Sequence, residues 1–472
     1  MKYLIMMIHL IGMVTLQSKD QVQPNIVFIL LDDFGVKDLG CYGSAFHESP
    51  HIDQLAKEGV RFTNSYAAHS VCGPSRTAII SGRSAPRLGL AGIGGNIQKV
   101  DLPWPKVLQN KGYKNCFAGK WHMGGDDSVL PAGFDVNISG CNVGQVSDYY
   151  YPYKRFDDKP YGQDVQGMED GKEGDFLTDK ITDKVLDFID ENHKNPFLVY
   201  FSFYQTHKSY DKKDVDGKER ISQGKLEDTE YFERKLANNL SIPRNKTREL
   251  HHGKSKAIEA LTQSNAGFAA QIKVVDDNLG RLFKKLKDLN LEENTIVIFT
   301  SDQGSLCSNK RAISTQAPYR LGKGWHFEGG LRVPLIMKWP TKIKAGTINK
   351  TPTISMDLYP TILDMLNIPQ QEEQSLDGVN IWPALQRGKT ISFDRTWRWA
   401  FASNHSSGHR KSAAIRQGDY KLIYWYEDKH TELYNVVNDI GENHNIIIKH
   451  PELAASLKKE LLAPDYMKTY RK

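Results

Sequence analysis

Four short apolar segments in this chain each stop abruptly at acidic, basic or imidazole side chains, and that repeated pattern limits the fold more than any other feature. "NIVFILLDDFG" is apolar over residues 26–31 and then presents Asp32 and Asp33. "YKNCFAGKWHMG" delivers Lys120 and His122, "PFLVYFSFYQTHKSY" delivers His207, and "TIVIFTSDQG" delivers Asp302 and Gln303. An unbroken apolar strand suits burial on both faces, the condition of a parallel sheet clothed by helices on each side. In open sheets of that kind, ligands gather outside the carboxyl ends of the strands. Four strands that release polar groups at that end predict one convergent site.

Helical patterns lie between the strands. "SPHIDQLAKEG" predicts a helix capped by Ser49, with Pro50 in its first turn and Gly59 at its end. Residues 264–288 repeat apolar positions at helical spacing, and "SMDLYPTILDMLNIP" reads as a helix stopped by Pro369. The alternation predicts an α/β, doubly wound domain over residues 21–370 with a mostly parallel sheet. "QQEEQSLDGVN" then reads as a solvated linker, and residues 371–472 as a smaller C-terminal α+β subdomain. Its signals are short antiparallel strands in "KSAAIRQGDYKLIYWYED" and "TELYNV" and a closing helix in "PELAASLKKELLAPD". Residues 208–256 are polar and read as an irregular or helical insertion.

Composition removes several classes of function. The net charge is +6 over 472 residues, and the basic side chains are dispersed, so no nucleic-acid stripe is present. At the start, Lys2 precedes an apolar run and then polar residues, the pattern of a signal peptide over residues 1–20. That run is short for a membrane span. The expectation is an exported protein, periplasmic or secreted, with no span after cleavage. Cys41, Cys72, Cys116, Cys141 and Cys307 show no C-x-x-C spacing, which argues against zinc. Their odd number leaves at least one thiol unpaired within the chain.

Cys72 has unusual surroundings in "HSVCGPSRTAIISGR". Pro74 fits the first turn of a helix and Gly82 its end. A helix N-terminus and Arg76 would both stabilise negative charge at position 72. These residues alone suggest an activated nucleophile beside an anion site. Asp32, Asp33, Asp302 and the amide carbonyl of Gln303 form an oxygen-rich set suited to a hard cation, Ca²⁺ or Mg²⁺. Lys120, His122, His207 and Lys323 add cations and a proton donor.

"CGPSRTAIISGR" resembles the type I, formylglycine-dependent sulfatase motif, C-x-P-S-R followed by S-G-R. "ILLDDFG", "GKWHMG", "THKSY", "SDQG" and "GKGWHFEGGLRVP" resemble the accompanying blocks of that family, in order, across residues 24–365. The resemblance implies an alkaline-phosphatase-like fold and hydrolysis of sulfate esters. It implies that Cys72 is converted to formylglycine by a formylglycine-generating or anaerobic sulfatase-maturing enzyme. Asp32, Asp33, Asp302, Gln303 and the converted Cys72 would hold one Ca²⁺; the family often has Asn where Gln303 stands. Arg76, Lys120, His122 and Lys323 would surround the nucleophile and the sulfate, and His207 would protonate the departing alcohol. An exported sulfatase of this kind meets sulfated carbohydrate. Trp121, Trp325, His326, His405 and Arg410, beside motif blocks or in a C-terminal loop, are the candidate substrate contacts. Two alternatives stay open at this point: a phosphonate monoester or phosphodiester hydrolase of the same superfamily, and a non-catalytic binder of sulfated glycans. A sulfotransferase is disfavoured by the lack of a Gly-rich phosphate-cradling loop.

Overall fold

The computed structural model describes residues 23–470, apart from 154–164, 210–211, 214–215, 245, 310–311 and 372–373. The expected signal peptide lies outside the described residues. The four apolar segments become neighbouring strands of one sheet. Its strands are β1 (Asn25–Leu31), β2 (Val60–Phe62), β3 (Lys114–Gly119), β4 (Val136–Ile138), β5 (Phe197–Ser202), β6 (Thr295–Ser301), β7 (Leu335–Lys338) and β8 (Thr347–Asn349). Their order is β8–β2–β7–β6–β1–β5–β3–β4, and only β7 runs against the rest.

Both faces of this sheet are covered, which explains the unbroken apolar runs. Val27, Ile29 and Leu31 join one core with Ile272, Val275 and Leu279. The alternate residues Ile26, Phe28 and Leu30 join another with Ile79, Trp104 and Ile362. Successive side chains of a strand point to opposite faces, so each face needs its own apolar set. The covering helices include α1 (Pro50–Glu58), α2 (Cys72–Ser81), α3 (Leu177–Asn192), α4 (Ala266–Asp288) and α5 (Leu358–Met365). Asn265 caps α4 by accepting from Phe268 N–H at 2.9 Å. Ser49 departs from its expected role, because its hydroxyl donates to Asp53 instead of capping α1.

The insertion is more regular than expected. It holds a helix, Leu226–Asn238, and an antiparallel hairpin of Thr247–His252 with Ser255–Ala260.

The boundary of the second unit also moves. Helix α6 (Trp382–Arg387) stacks Trp382 on Trp339 at 5.7 Å, so it belongs to the first core. The antiparallel sheet begins at β9 (Thr396–Phe401) and continues through β10 (Ser412–Gln417), β11 (Tyr420–Trp425) and β12 (Thr431–Asn435). Helix α7 (Pro451–Leu462) packs Leu457 and Leu461 against it. Trp325 and Phe327 share one apolar cluster with Trp397, Trp399 and Trp425 and so join the two units. Buried Lys421 adds ion pairs to Glu328 at 2.8 Å and Glu442 at 2.7 Å. All five cysteines are free thiols. Among the described residues, no helix is long and apolar enough to cross a membrane.

Candidate active site

The carboxyl ends of β1, β3, β5 and β6 meet the N-terminus of α2. Val71 is extended, and the helix begins at Cys72. It ends at Gly82, whose φ of 66° is left-handed and whose N–H bonds the Ala78 carbonyl at 2.9 Å. Inside the first turns, Ser75 donates to the Asp302 carbonyl at 2.5 Å, which ties the helix to the end of β6.

Arg76 is the hub beneath Cys72. Its Nε and Nη2 each lie 2.8 Å from Asp302 Oδ2, and its Nη1 donates to Ser202 Oγ at 2.6 Å and the Lys120 carbonyl at 2.9 Å. Lys120 Nζ contacts Asp32 Oδ2 at 2.6 Å. Lys323 Nζ donates to Asp33 Oδ2 at 2.7 Å and lies 3.1 Å from His207 Nε2. His207 Nδ1 is 2.8 Å from the Lys208 carbonyl. A carbonyl only accepts, so the ring proton sits on Nδ1 and Nε2 is the open acceptor.

Burial and charge set the protonation states. Burial works against ionised Asp32, but Lys120, His207, Arg76 and Lys323 outweigh it and hold the carboxylate well below its usual range. Burial pushes Asp302 up against the pull of Arg76, and the facing charge of Asp32 adds to the push. Burial also lowers His122, helped by Lys120 and Arg76, and brings His207 down to about 4. Both imidazoles are therefore neutral near pH 7. For Lys323, burial is the largest single influence and acts downward, but Asp33, Cys72 and Asp32 together outweigh it and raise the ammonium above its ordinary range. Asp33 and His122 adopt left-handed φ values of 53° and 59°, uncommon for residues with side chains.

The donor set fits a hard cation. Asp32, Cys72 and Asp302 each offer a ligand atom within 4.8 Å of the others. Asp32 Oδ1 and Gln303 Oε1 are buried without a hydrogen-bond partner among the described residues. Gln303 directs its Nε2 to Asp33 Oδ1, which leaves the amide oxygen for another ligand. Buried acceptors of this kind are costly unless something binds them.

A cavity of about 300 Å³ opens over the group and is lined by Asp33, Cys72, His122, His207, Lys323 and His405. Thus the residues expected for catalysis and metal binding come together, and His405 joins them from the second unit. Burial, together with Lys323, lowers His405 to about 4.

Three expected substrate contacts are corrected by burial. Trp121 is fully buried, bonds Ser128 Oγ at 2.9 Å and packs edge-on to Phe117. Trp325 lies in the cluster between the two units. His326 is buried with its Nδ1 2.8 Å from Ser412 Oγ. Arg410 is exposed and is absent from the cavity lining. Two residues were missed. Ser202 ends β5 and holds Arg76, and Gln145 lines the cavity from "CNVGQVSD", a loop with no periodicity or motif to mark it.

Comparison with known proteins agrees with this geometry. The family model described as Sulfatase matches residues 24–368, and one described as N-sulphoglucosamine sulphohydrolase, C-terminal, matches residues 320–465. The chain belongs to the sulfatase family and is an enzyme that hydrolyses sulfate esters. It is 26% identical to an N-acetylglucosamine-6-O-sulfatase of Bacteroides thetaiotaomicron, over 94% of this chain and 86% of the relative. It is 28% identical to the N-acetylgalactosamine-6-sulfatase of Sus scrofa, over 85% of this chain and 72% of that one. The crystal structure of Ps i-CgsB matches with a TM-score of 0.73 at 28% identity, covering 93% and 92% of the two chains. Ps i-CgsB has also been solved with k-i-k-neocarrahexaose. Of the readings left open by the sequence, sulfate ester hydrolysis is the one that stands.

Proposed function

We propose that the enzyme releases sulfate from a sulfated carbohydrate, with Cys72 converted to formylglycine and a Ca²⁺ beside it. The observation that carries this reading is the position of Cys72 at the head of α2. Its sulfur lies within 4.8 Å of ligand oxygens of Asp32 and Asp302, at a cavity wall shared with His207 and Lys323. The carbohydrate part is supported by the sugar sulfatases among the relatives and by the oligosaccharide bound to Ps i-CgsB.

Asp32, Asp33, Asp302 and Gln303 would hold the Ca²⁺, which acidifies a nearby hydroxyl and attracts sulfate oxygens. Formylglycine at position 72 would supply the oxygen nucleophile for attack on sulfur. The chain's own side chains do the rest. Arg76 fixes Asp302 and the strand ends through its fork of bonds. Lys120 and Lys323 stabilise charge that grows on the sulfate oxygens. Lys323 carries the proton of this pair, and His207 Nε2, 3.1 Å from its ammonium, would take that proton as charge develops and pass it to the leaving alcohol. The same reading implies export before use and maturation by a formylglycine-generating or anaerobic sulfatase-maturing enzyme.

The test is mass analysis of the tryptic peptide spanning residues 62–76 from protein made with a maturation enzyme, paired with sulfate release from sulfated saccharides. Active protein should show the mass change from thiol to aldehyde, and Cys72→Ala should lose turnover while staying folded. Active protein with an intact thiol would refute the formylglycine assignment. Loss of His207 should harm saccharide esters more than activated aryl sulfates, and an equal loss on both would remove it as proton donor.

A further inference from the structure

Gln145 is a polar side chain with no place in the chemistry above. It is only 8% exposed, it lines the same cavity as Cys72, His122, His207 and Lys323, and its Nε2 is buried without a hydrogen-bond partner among the described residues. An unpaired buried amide donor costs about 1–3 kcal/mol, so its retention beside a cavity calls for an acceptor that arrives with the ligand.

Its neighbour constrains where it can sit. A Cβ on Gly144 would stand 2.8 Å from His122 Cε1, so the backbone before Gln145 rests directly on the His122 ring. The loop is thereby held at a fixed distance from another residue that lines the cavity. His405 lines the same cavity. Its Nδ1 accepts from Ser407 N–H at 3.2 Å, which leaves the ring proton on Nε2. The cavity volume, about 300 Å³, is at the small end for ligand sites and suits one sugar ring better than a run of several.

We propose that Gln145 is a specificity-determining residue. Its Nε2 donates to an oxygen of the sugar ring that bears the sulfate ester, and the pocket admits that one residue, as expected of an enzyme acting at a chain end. This inference rests on the carbohydrate reading. A site that pairs a substrate oxygen with a buried donor rejects analogues lacking that oxygen far more strongly than an apolar wall does.

The test compares wild type with Gln145→Met, which keeps length and removes the amide, and with Gln145→Ala as a second variant. Each is assayed on an aryl sulfate without a sugar and on 6-O-sulfated N-acetylglucosamine, 6-O-sulfated N-acetylgalactosamine and 4-O-sulfated galactose. For the saccharide that wild type turns over best, both variants should show KM raised about tenfold with kcat nearly kept, the pattern of lost uniform binding. The ratio of saccharide to aryl sulfate kcat/KM should fall by a similar factor. An unchanged ratio in folded variants overturns the role of Gln145 and leaves the carbohydrate reading intact. Aryl sulfate turnover by wild type with no saccharide hydrolysed overturns the carbohydrate reading, and this proposal with it. Faster release from sulfated oligosaccharides than from these monosaccharides refutes the single-ring pocket.

Discussion

Adding one methyl group at Gly144 should disable the enzyme without unfolding it. A Cβ there would lie 2.8 Å from His122 Cε1 and 2.9 Å from Nε2, whereas ordinary contact starts near 3.4 Å. The ring must therefore retreat by about 0.6 Å, a small-to-large strain that costs about 1–3 kcal/mol. It has little freedom to do so. His122 is held at a left-handed φ of 59°, and its N–H bonds the Cys141 carbonyl at 3.0 Å. Misplacing a reacting group by about 1 Å costs about 100-fold. For Gly144→Ala we expect kcat on an aryl sulfate to fall about 10- to 30-fold, equivalent to about 1.4–2 kcal/mol. The same strain should lower the unfolding free energy by about 1–3 kcal/mol, so the urea midpoint falls while the variant stays folded without denaturant. The decisive assay adds His122→Ala: once the ring is gone, the methyl introduced by Gly144→Ala has lost the group it strikes and should cost nothing further. Wild-type turnover in Gly144→Ala, or an equal additional loss in the double variant, would refute this coupling.

Three more outcomes are expected. Lys421→Met should destabilise the fold by about 3–5 kcal/mol in urea unfolding, because Glu328 and Glu442 would lose their shared buried cation; a loss below about 1 kcal/mol would contradict it. Acid should weaken the fold partly through His47, which burial pushes down to about 3 against the opposing Asp38 carbonyl. Below pH 6.5 the unfolded chain binds a proton that folded His47 refuses, so stability present above 6.5 is lost as pH falls, by about 2 kcal/mol between pH 6.5 and 5; His47→Leu should flatten that slope, and an unchanged slope would exclude this origin. Chelation by EGTA should abolish sulfate release and lower the thermal midpoint, with both restored by added Ca²⁺; full activity after exhaustive chelation would exclude the cation.

The four strand ends were readable because burial on both faces forces a continuous apolar run, and an abrupt charge after such a run has few places to go except the end of the sheet. Cys72 at a helix mouth was readable for a similar local reason, since Pro74 and Gly82 act within a few residues. Other features depended on neighbours distant in the chain. Trp121, Trp325 and His326 stand next to motif residues, yet Phe117, Trp399 and Ser412 enclose them, and adjacency along the chain says nothing about which side of a loop faces solvent. Trp382 read as part of the second unit until its stacking on Trp339 assigned it to the first core. Gln145 lay in a loop without periodicity, and only the packing of Gly144 on His122 brings it to the cavity. What the sequence determined by itself was the covalent alphabet of the site and the periodicity of the elements that carry it, because both are properties of neighbours in the chain. What the tertiary structure decided was which polar groups are paired, which are buried, and which are left facing the cavity, because those depend on contacts between residues hundreds of positions apart.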